Sequence, residues 1–178
     1  SVVRPRYCYH GLGHVFMYLN GTDLEGAIHS CDIFSEYAVA AGCRSGVFMD
    51  YLLSTSSVSV LRTHDEQPCD MFPGYASSCY RYKAYGWLYS SKDLSEAFNL
   101  CPLMGENEML CIRSIAQAYA SLYKVESTEE FEHLCGRFSG ERKSACIEGA
   151  FLRIVELNDG DDTARACDSV EEPYRQSC

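Results

Sequence analysis

Five stretches of the chain space their apolar residues as a helix would. They read CYHGLGHVFMYL from Cys8, CRSGVFMDYLL from Cys43, CYRYKAYGWLY from Cys79, CIRSIAQAYASLY from Cys111 and CIEGAFLRIVEL from Cys146. In the first, Leu12, Val15, Phe16 and Leu19 fall at i, i+3, i+4 and i+7. In the fourth, Ile112, Ile115, Tyr119 and Leu122 fall at i, i+3, i+7 and i+10, and Ile147, Ala150, Phe151, Ile154 and Leu157 repeat the rhythm in the fifth. This is the period of an amphipathic helix; none of these runs shows the period of two that a strand requires.

Polar turns and shorter helices separate the long ones. Asn20-Gly21 predicts a helix end, with Thr22 or Asp23 capping the next helix. Ser127-Thr128-Glu129-Glu130 fits a capping box, and Asn158-Asp159-Gly160-Asp161 repeats the stop-then-start logic. The second helices read DLEGAIHSC, DLSEAFNLC, TEEFEHLC and TARAC. One turn region, STSSVSVLRTHDEQPC, is longer and sets Pro68 before its cysteine, which predicts a short or distorted helix there.

The cysteines give these elements a repeat. Eleven of them follow one another at gaps of 23, 12, 26, 10, 22, 10, 24, 11, 21 and 11 residues, so every second cysteine recurs at 32 to 36 residues. A period in the thirties marks stacked helical hairpins. Five units result, at about 8–42, 43–78, 79–110, 111–145 and 146–178, in one continuous domain. A small residue tends to follow the opening cysteine by three positions (Gly11, Gly46, Ser114, Gly149, with Tyr82 the exception), which suits close helix approach.

Composition then narrows the setting. Eleven cysteines in 178 residues fit an oxidising compartment better than a reducing cytosol, and no CxxC pair supplies the unit of a zinc ribbon or a thioredoxin-like motif. A formal charge of −10 with no Lys/Arg cluster argues against nucleic acid. No apolar run reaches the roughly 18 to 20 residues of a membrane span. The opening SVVRPRYC lacks the regions of a signal peptide, so a secreted form predicts a mature or trimmed N-terminus.

The phrase DLSEAFNLCPLMGENEMLCIRSIAQAY joins an alanine-bearing second helix, a cysteine, a short turn and a cysteine that opens the next helix. In this, and in its rhythm over most of its length, the chain resembles the cysteine-rich branch of the tetratricopeptide-like helical-hairpin repeats. Some members of that branch are linked to peptidoglycan-related or penicillin-binding activity, but no residue here matches such a site. Two disulfide registers are open. Long-gap pairing runs from Cys8–Cys31 through Cys146–Cys167 and leaves Cys178. Short-gap pairing gives Cys31–Cys43, Cys69–Cys79, Cys101–Cys111, Cys135–Cys146 and Cys167–Cys178 and leaves Cys8. The short gaps vary less, and the resemblance implies the short-gap register. The odd cysteine suggests an intermolecular bond, a free thiol, or a partner lost with a trimmed segment.

Candidate chemistry is sparse. His10 and His14, at i and i+4 in HGLGH, could share a metal, with Glu25 or His29 as a third ligand; Gly11 stands where HExxH has its glutamate. At 100° per residue both lie opposite the Leu12/Val15/Phe16/Leu19 stripe, which predicts that they face solvent or a neighbouring protein; a polar face that caps or contacts the next element is the simpler account. Asn20-Gly21-Thr22 is an N-glycosylation sequon in an inter-helix turn, and Ser54-Thr55-Ser56-Ser57 is a weaker O-glycosylation candidate. Tyr75, Tyr80, Tyr82, Tyr85 and Tyr89 around Trp87 fit either an interface or the half-buried layer of small hairpins. The carboxylates at Glu129-Glu130 and Asp159 to Asp162 read as capped helix starts, without the alternating spacing of a calcium loop. No nucleophile elbow or glycine-rich phosphate loop is present, which favours a non-enzymatic protein.

The sequence reading is therefore an all-α, right-handed α-solenoid of about five disulfide-stapled helical hairpins, secreted or periplasmic. It predicts an interaction and structural assembly module that self-associates head to tail into a filament, with no nucleic-acid partner, no membrane span and no required cofactor. A metal- or small-molecule-binding protein, or an enzyme, using the His10/His14 face is the alternative.

Overall fold

A computed structural model describes residues 5–21, 23–54, 68–91, 93–124 and 128–157. Among these every regular element is helical: α1 Pro5–Asn20, α2 Leu24–Ser30, α3 Tyr37–Leu53, α4 Ala76–Ser91, α5 Leu94–Leu100, α6 Glu108–Tyr123, α7 Thr128–Cys135 and α8 Gly140–Leu157. Short 3-10 turns follow α2 (Cys31–Ile33), precede α4 (Cys69–Met71 and Pro73–Tyr75) and join α5 to α6 (Cys101–Asn107). The chain forms two compact units, 1–86 and 87–178, with the division inside α4.

Local chemistry sets the boundaries. Gly21 takes a φ of +64° just past the end of α1, a conformation glycine adopts without steric penalty. Asp23 then caps α2, its carboxylate accepting from the Gly26 amide at 3.0 Å. Asp93 does the same for α5, accepting from the amides of Ser95 and Glu96 at 2.7 and 3.4 Å. Each such cap contributes about 1 kcal/mol, which matters for helices of only seven residues. Pro68 lies directly before a three-residue turn, Cys69–Met71. Thr22, Ser127, Asp159 to Asp162 and the Thr55–Ser57 part of the serine-rich run lie outside the described residues.

Four disulfides tie each short element to the long helix after it: Cys31–Cys43, Cys69–Cys79, Cys101–Cys111 and Cys135–Cys146. Their Cα separations run from 5.4 to 5.8 Å, comfortable for the bond. All eight cysteines are buried, so each bridge also fills core volume. Cys167 and Cys178 lie outside the described residues. No helix among the described residues is long and apolar enough to cross a membrane.

In the first unit α1 lies along α3, with α2 packed against both. The crossing is tight because two glycines meet: a Cβ on Gly13 would run into the Cys43 carbonyl, and one on Gly46 into the His10 carbonyl. In the second unit α6 lies along α8, and a Cβ on Gly149 would run into the Arg113 carbonyl. Ion pairs reinforce that unit, Arg142 with Glu108 at 2.7 Å and Lys143 with Glu132 at 2.8 Å. The expected small-residue role therefore holds at Gly46 and Gly149. It fails at Gly11, around which a Cβ would meet nothing; Gly13, two residues on, makes the approach instead.

The expected core stripe of α1 holds only in part: Leu12 and Phe16 are half-buried, not buried. Met17 and Gly13 are buried, while Val15 and Leu19 are 47% and 70% exposed and Tyr18 is 84% exposed. Glycine explains the difference. The face bearing Gly13 brings two backbones together, and the many short-range contacts so gained outweigh burying the larger side chains on the opposite face. In α6 and α8 much of the periodic stripe does form core: Ile112, Ile115, Ile147, Ala150 and Phe151 are buried, while Tyr119 and Leu122 are half-buried.

Candidate functional site

The α1–α3 seam gathers the polar side chains that the sequence singled out. Gly13 faces α3; His10, one turn earlier, shares that side, and His14, the next residue, meets α3 through Asp50. They form a polar face that contacts the next long helix, as the simpler account expected, with His14 still partly open to solvent. His14 Nε2 lies 3.3 Å from His10 Nε2, and the two rings meet edge to face with centroids 5.0 Å apart. From α3, Met49 places its Sδ 3.3 Å from His10 Nε2, and Asp50 places Oδ1 3.3 Å from His14 Nδ1. Tyr82 closes one side, its ring centroid 6.2 Å from that of His10 and its hydroxyl 3.0 Å from Ser45 Oγ.

The electrostatics of the pair are asymmetric. Burial lowers the affinity of His10 for a proton below the ordinary histidine value, and the neighbouring His14 and Arg81 lower it further. The neutral form of the His10 imidazole is favoured accordingly. His14, partly exposed, donates Nδ1–H to the Asp50 carboxylate, an assignment that follows from the partner and leaves its Nε2 with a free lone pair.

The other candidates do not join this cluster. His29 is exposed and pairs locally with Glu25 at 3.9 Å and Asp32 at 3.8 Å, so neither Glu25 nor His29 completes a His10/His14 site. No group of three or more His, Cys, Asp or Glu side chains among the described residues is arranged to hold a metal ion. Asn20 ends α1 with its Nδ2, the atom that a glycan would join, donating to the Phe16 carbonyl at 2.9 Å and to Ser30 Oγ at 3.3 Å. Of the tyrosine group, Tyr80, Tyr82 and Trp87 are buried, Tyr75 lies under the Arg44 guanidinium at 4.1 Å, and Tyr89 is exposed. Cys8 is exposed and unpaired, on the outer side of α1.

Met49 and Asp50 escaped the sequence reading. The signal was there: a lone carboxylate beside a methionine in the otherwise apolar run VFMDYLL, three and four residues past Gly46. Only the knowledge that Gly46 meets His10 turns that spacing into proximity. The second unit holds a different feature, an open groove of about 400 Å³ lined by Tyr119, Tyr123, Glu130, His133 and Arg137 among others. There Arg137 donates to Ser95 at 3.0 Å, and the two tyrosine rings lie 4.4 Å apart. Compared with known proteins, the chain matches no family model, no curated protein and no solved structure.

Proposed function

We propose that this chain is a disulfide-stapled helical interaction module of an oxidising, extracellular or periplasmic compartment, and that it self-associates through the outer face of α1. The finer architecture of the proposal is the right-handed solenoid of hairpins, growing head to tail into a filament. The observation that carries the reading is a contrast between equivalent positions. Counting from the opening cysteine, Val15 of α1 corresponds to Ala118 of α6, Leu12 to Ile115 and Gly11 to Ser114. The α6 residues are buried, whereas Gly11 and Val15 are exposed and Leu12 is half-buried.

A face that the fold covers in one repeat is thus left open in another, and its apolar side chains are those a further repeat would bury. A second copy of the chain supplies such a surface. Contact between two different faces of the molecule does not close on itself and propagates. Cys8 lies on the open face, where an exposed thiol can join subunits under oxidising conditions.

Sedimentation velocity of the oxidised chain over a wide concentration range tests this, with intact mass after thiol alkylation measured before and after reduction. Association that Leu19→Glu abolishes is the expected result. A monodisperse monomer at the highest concentration removes the proposal.

A further inference from the structure

We propose that His10, His14 and Met49 form a binding site for one monovalent soft metal ion, with copper(I) as the biological member of that class. The inference is independent of the assembly reading, since it concerns the inner seam of α1 and not its outer face. It rests first on geometry. Two nitrogens 3.3 Å apart, each bonded at about 2.0 Å, subtend roughly 110° at a shared ion, close to the tetrahedral angle. A sulfur bond of about 2.3 Å fits the 3.3 Å separation of Met49 Sδ from His10 Nε2 at roughly 100°. Gly13 and Gly46 let the two helix backbones meet, which sets the histidines beside Met49.

Proton accounting points the same way. His14 donates Nδ1–H to Asp50, so its Nε2 presents a lone pair. Met49 Sδ presents another. His10 Nε2 lies within 3.3 Å of both and holds at most one hydrogen for two acceptors. A metal ion in place of that hydrogen satisfies all three donor atoms together.

The donor set selects the ion. A thioether with two imidazoles suits copper(I), while the carboxylate-rich or thiolate-rich sets of hard or borderline ions are missing from the cluster. Asp50 orients His14 from behind through the other ring nitrogen, the usual role of a carboxylate behind a ligating histidine. Arg81 stands near enough to repel a cation. The Asp50 charge opposes that field, and a monovalent ion feels half the repulsion a divalent one would.

The test uses the full, disulfide-intact chain with free thiols alkylated, because Cys8 would otherwise capture the same ions. Copper(I) presented as its bicinchoninate complex should transfer one equivalent to the protein, and silver(I) should shift the Met49 methyl resonance. Met49→Leu, which nearly conserves volume, should weaken binding about tenfold or more, and His14→Ala at least as much; Asp50→Asn should weaken it about tenfold. No transfer, or transfer that neither Met49→Leu nor His14→Ala weakens, overturns the site. Zinc(II) binding as tightly as copper(I) overturns the soft-ion assignment. Should His14→Ala fail to fold, Met49→Leu alone decides the matter.

Discussion

The α1–α3 crossing of the first unit and the α6–α8 crossing of the second correspond position by position. His10 and Arg113 each follow a helix-opening cysteine by two residues, and each lays its carbonyl on a glycine three residues past the next opening cysteine, Gly46 or Gly149. Around that shared contact the chemistry diverges. Where the first unit has His14, Met49 and Asp50, the second has Gln117, Leu152 and Arg153. Arg113 pairs with Glu148 at 3.9 Å, and Gln117 is buried. One backbone solution thus serves two purposes, structural in the second unit and a donor cluster in the first. What the crossing requires is the glycine; the surrounding positions are free to vary.

Breaking the staples should have the largest effect and should not distinguish the units. Replacing Cys31 and Cys43, or Cys135 and Cys146, by serine pairs should lower the unfolding free energy by about 3 kcal/mol each, given sequence separations of 12 and 11 residues. Denaturant unfolding followed by circular dichroism measures both. A loss in one unit several times that in the other would show that the stapled hairpins are not equivalent.

Next come the glycines. Gly46→Ala and Gly149→Ala should each destabilise by about 1–3 kcal/mol, because a Cβ meets a backbone carbonyl that cannot step aside. The roughly 1 kcal/mol that alanine gains in helix propensity offsets only part of this. Gly11→Ala, with open space around it, should stabilise instead. If Gly46→Ala also stabilises, the close crossing of α1 and α3 is wrong, and the histidine–methionine cluster goes with it.

The outer face gives a smaller effect, visible in association. Leu19→Glu should leave the unfolding transition of the monomer within about 0.5 kcal/mol, since the residue is 70% exposed. It should nevertheless abolish self-association in sedimentation. On the corresponding face of the second unit, Ala118→Glu, at the position that matches Val15, buries a charge and should cost several kcal/mol of stability.

The smallest effect is one of pH. The folded state depresses the proton affinity of His10, so its neutral form is favoured on folding. Stability from this source is complete above the ordinary histidine value of about 6.5 and is lost as pH falls below it. Thermal unfolding of the metal-free chain at neutral and mildly acidic pH, compared with His10→Gln, should show the acid sensitivity reduced in the variant. The second unit has an arginine, Arg113, at the equivalent position, so the His10→Gln comparison reads the first unit.

How much was legible in the sequence differs between the units for a physical reason. In α6 and α8 the largest apolar residues form the seam, so periodicity alone located Ile112, Ile115, Ile147, Ala150 and Phe151 in the core. In α1 the seam is built on Gly13, which a hydrophobic pattern counts as empty, and the same rule put Val15 and Leu19, which are exposed, on the inner face. His10 and His14 were found by their spacing, but their partners were not. Met49 and Asp50 lie 39 and 36 residues from the histidines they meet. No local pattern reaches across such a distance.

The helices, their caps at Asp23 and Asp93 and the alternating long and short elements were determined by the sequence itself, because each depends on hydrogen bonds and side-chain spacing within a few residues. The tertiary structure decided which face of α1 turns inward, which cysteines of the described residues join, and which side chains converge on His10. Those outcomes depend on how closely two backbones can approach, and that distance is set jointly by glycines 33 residues apart, Gly13 and Gly46.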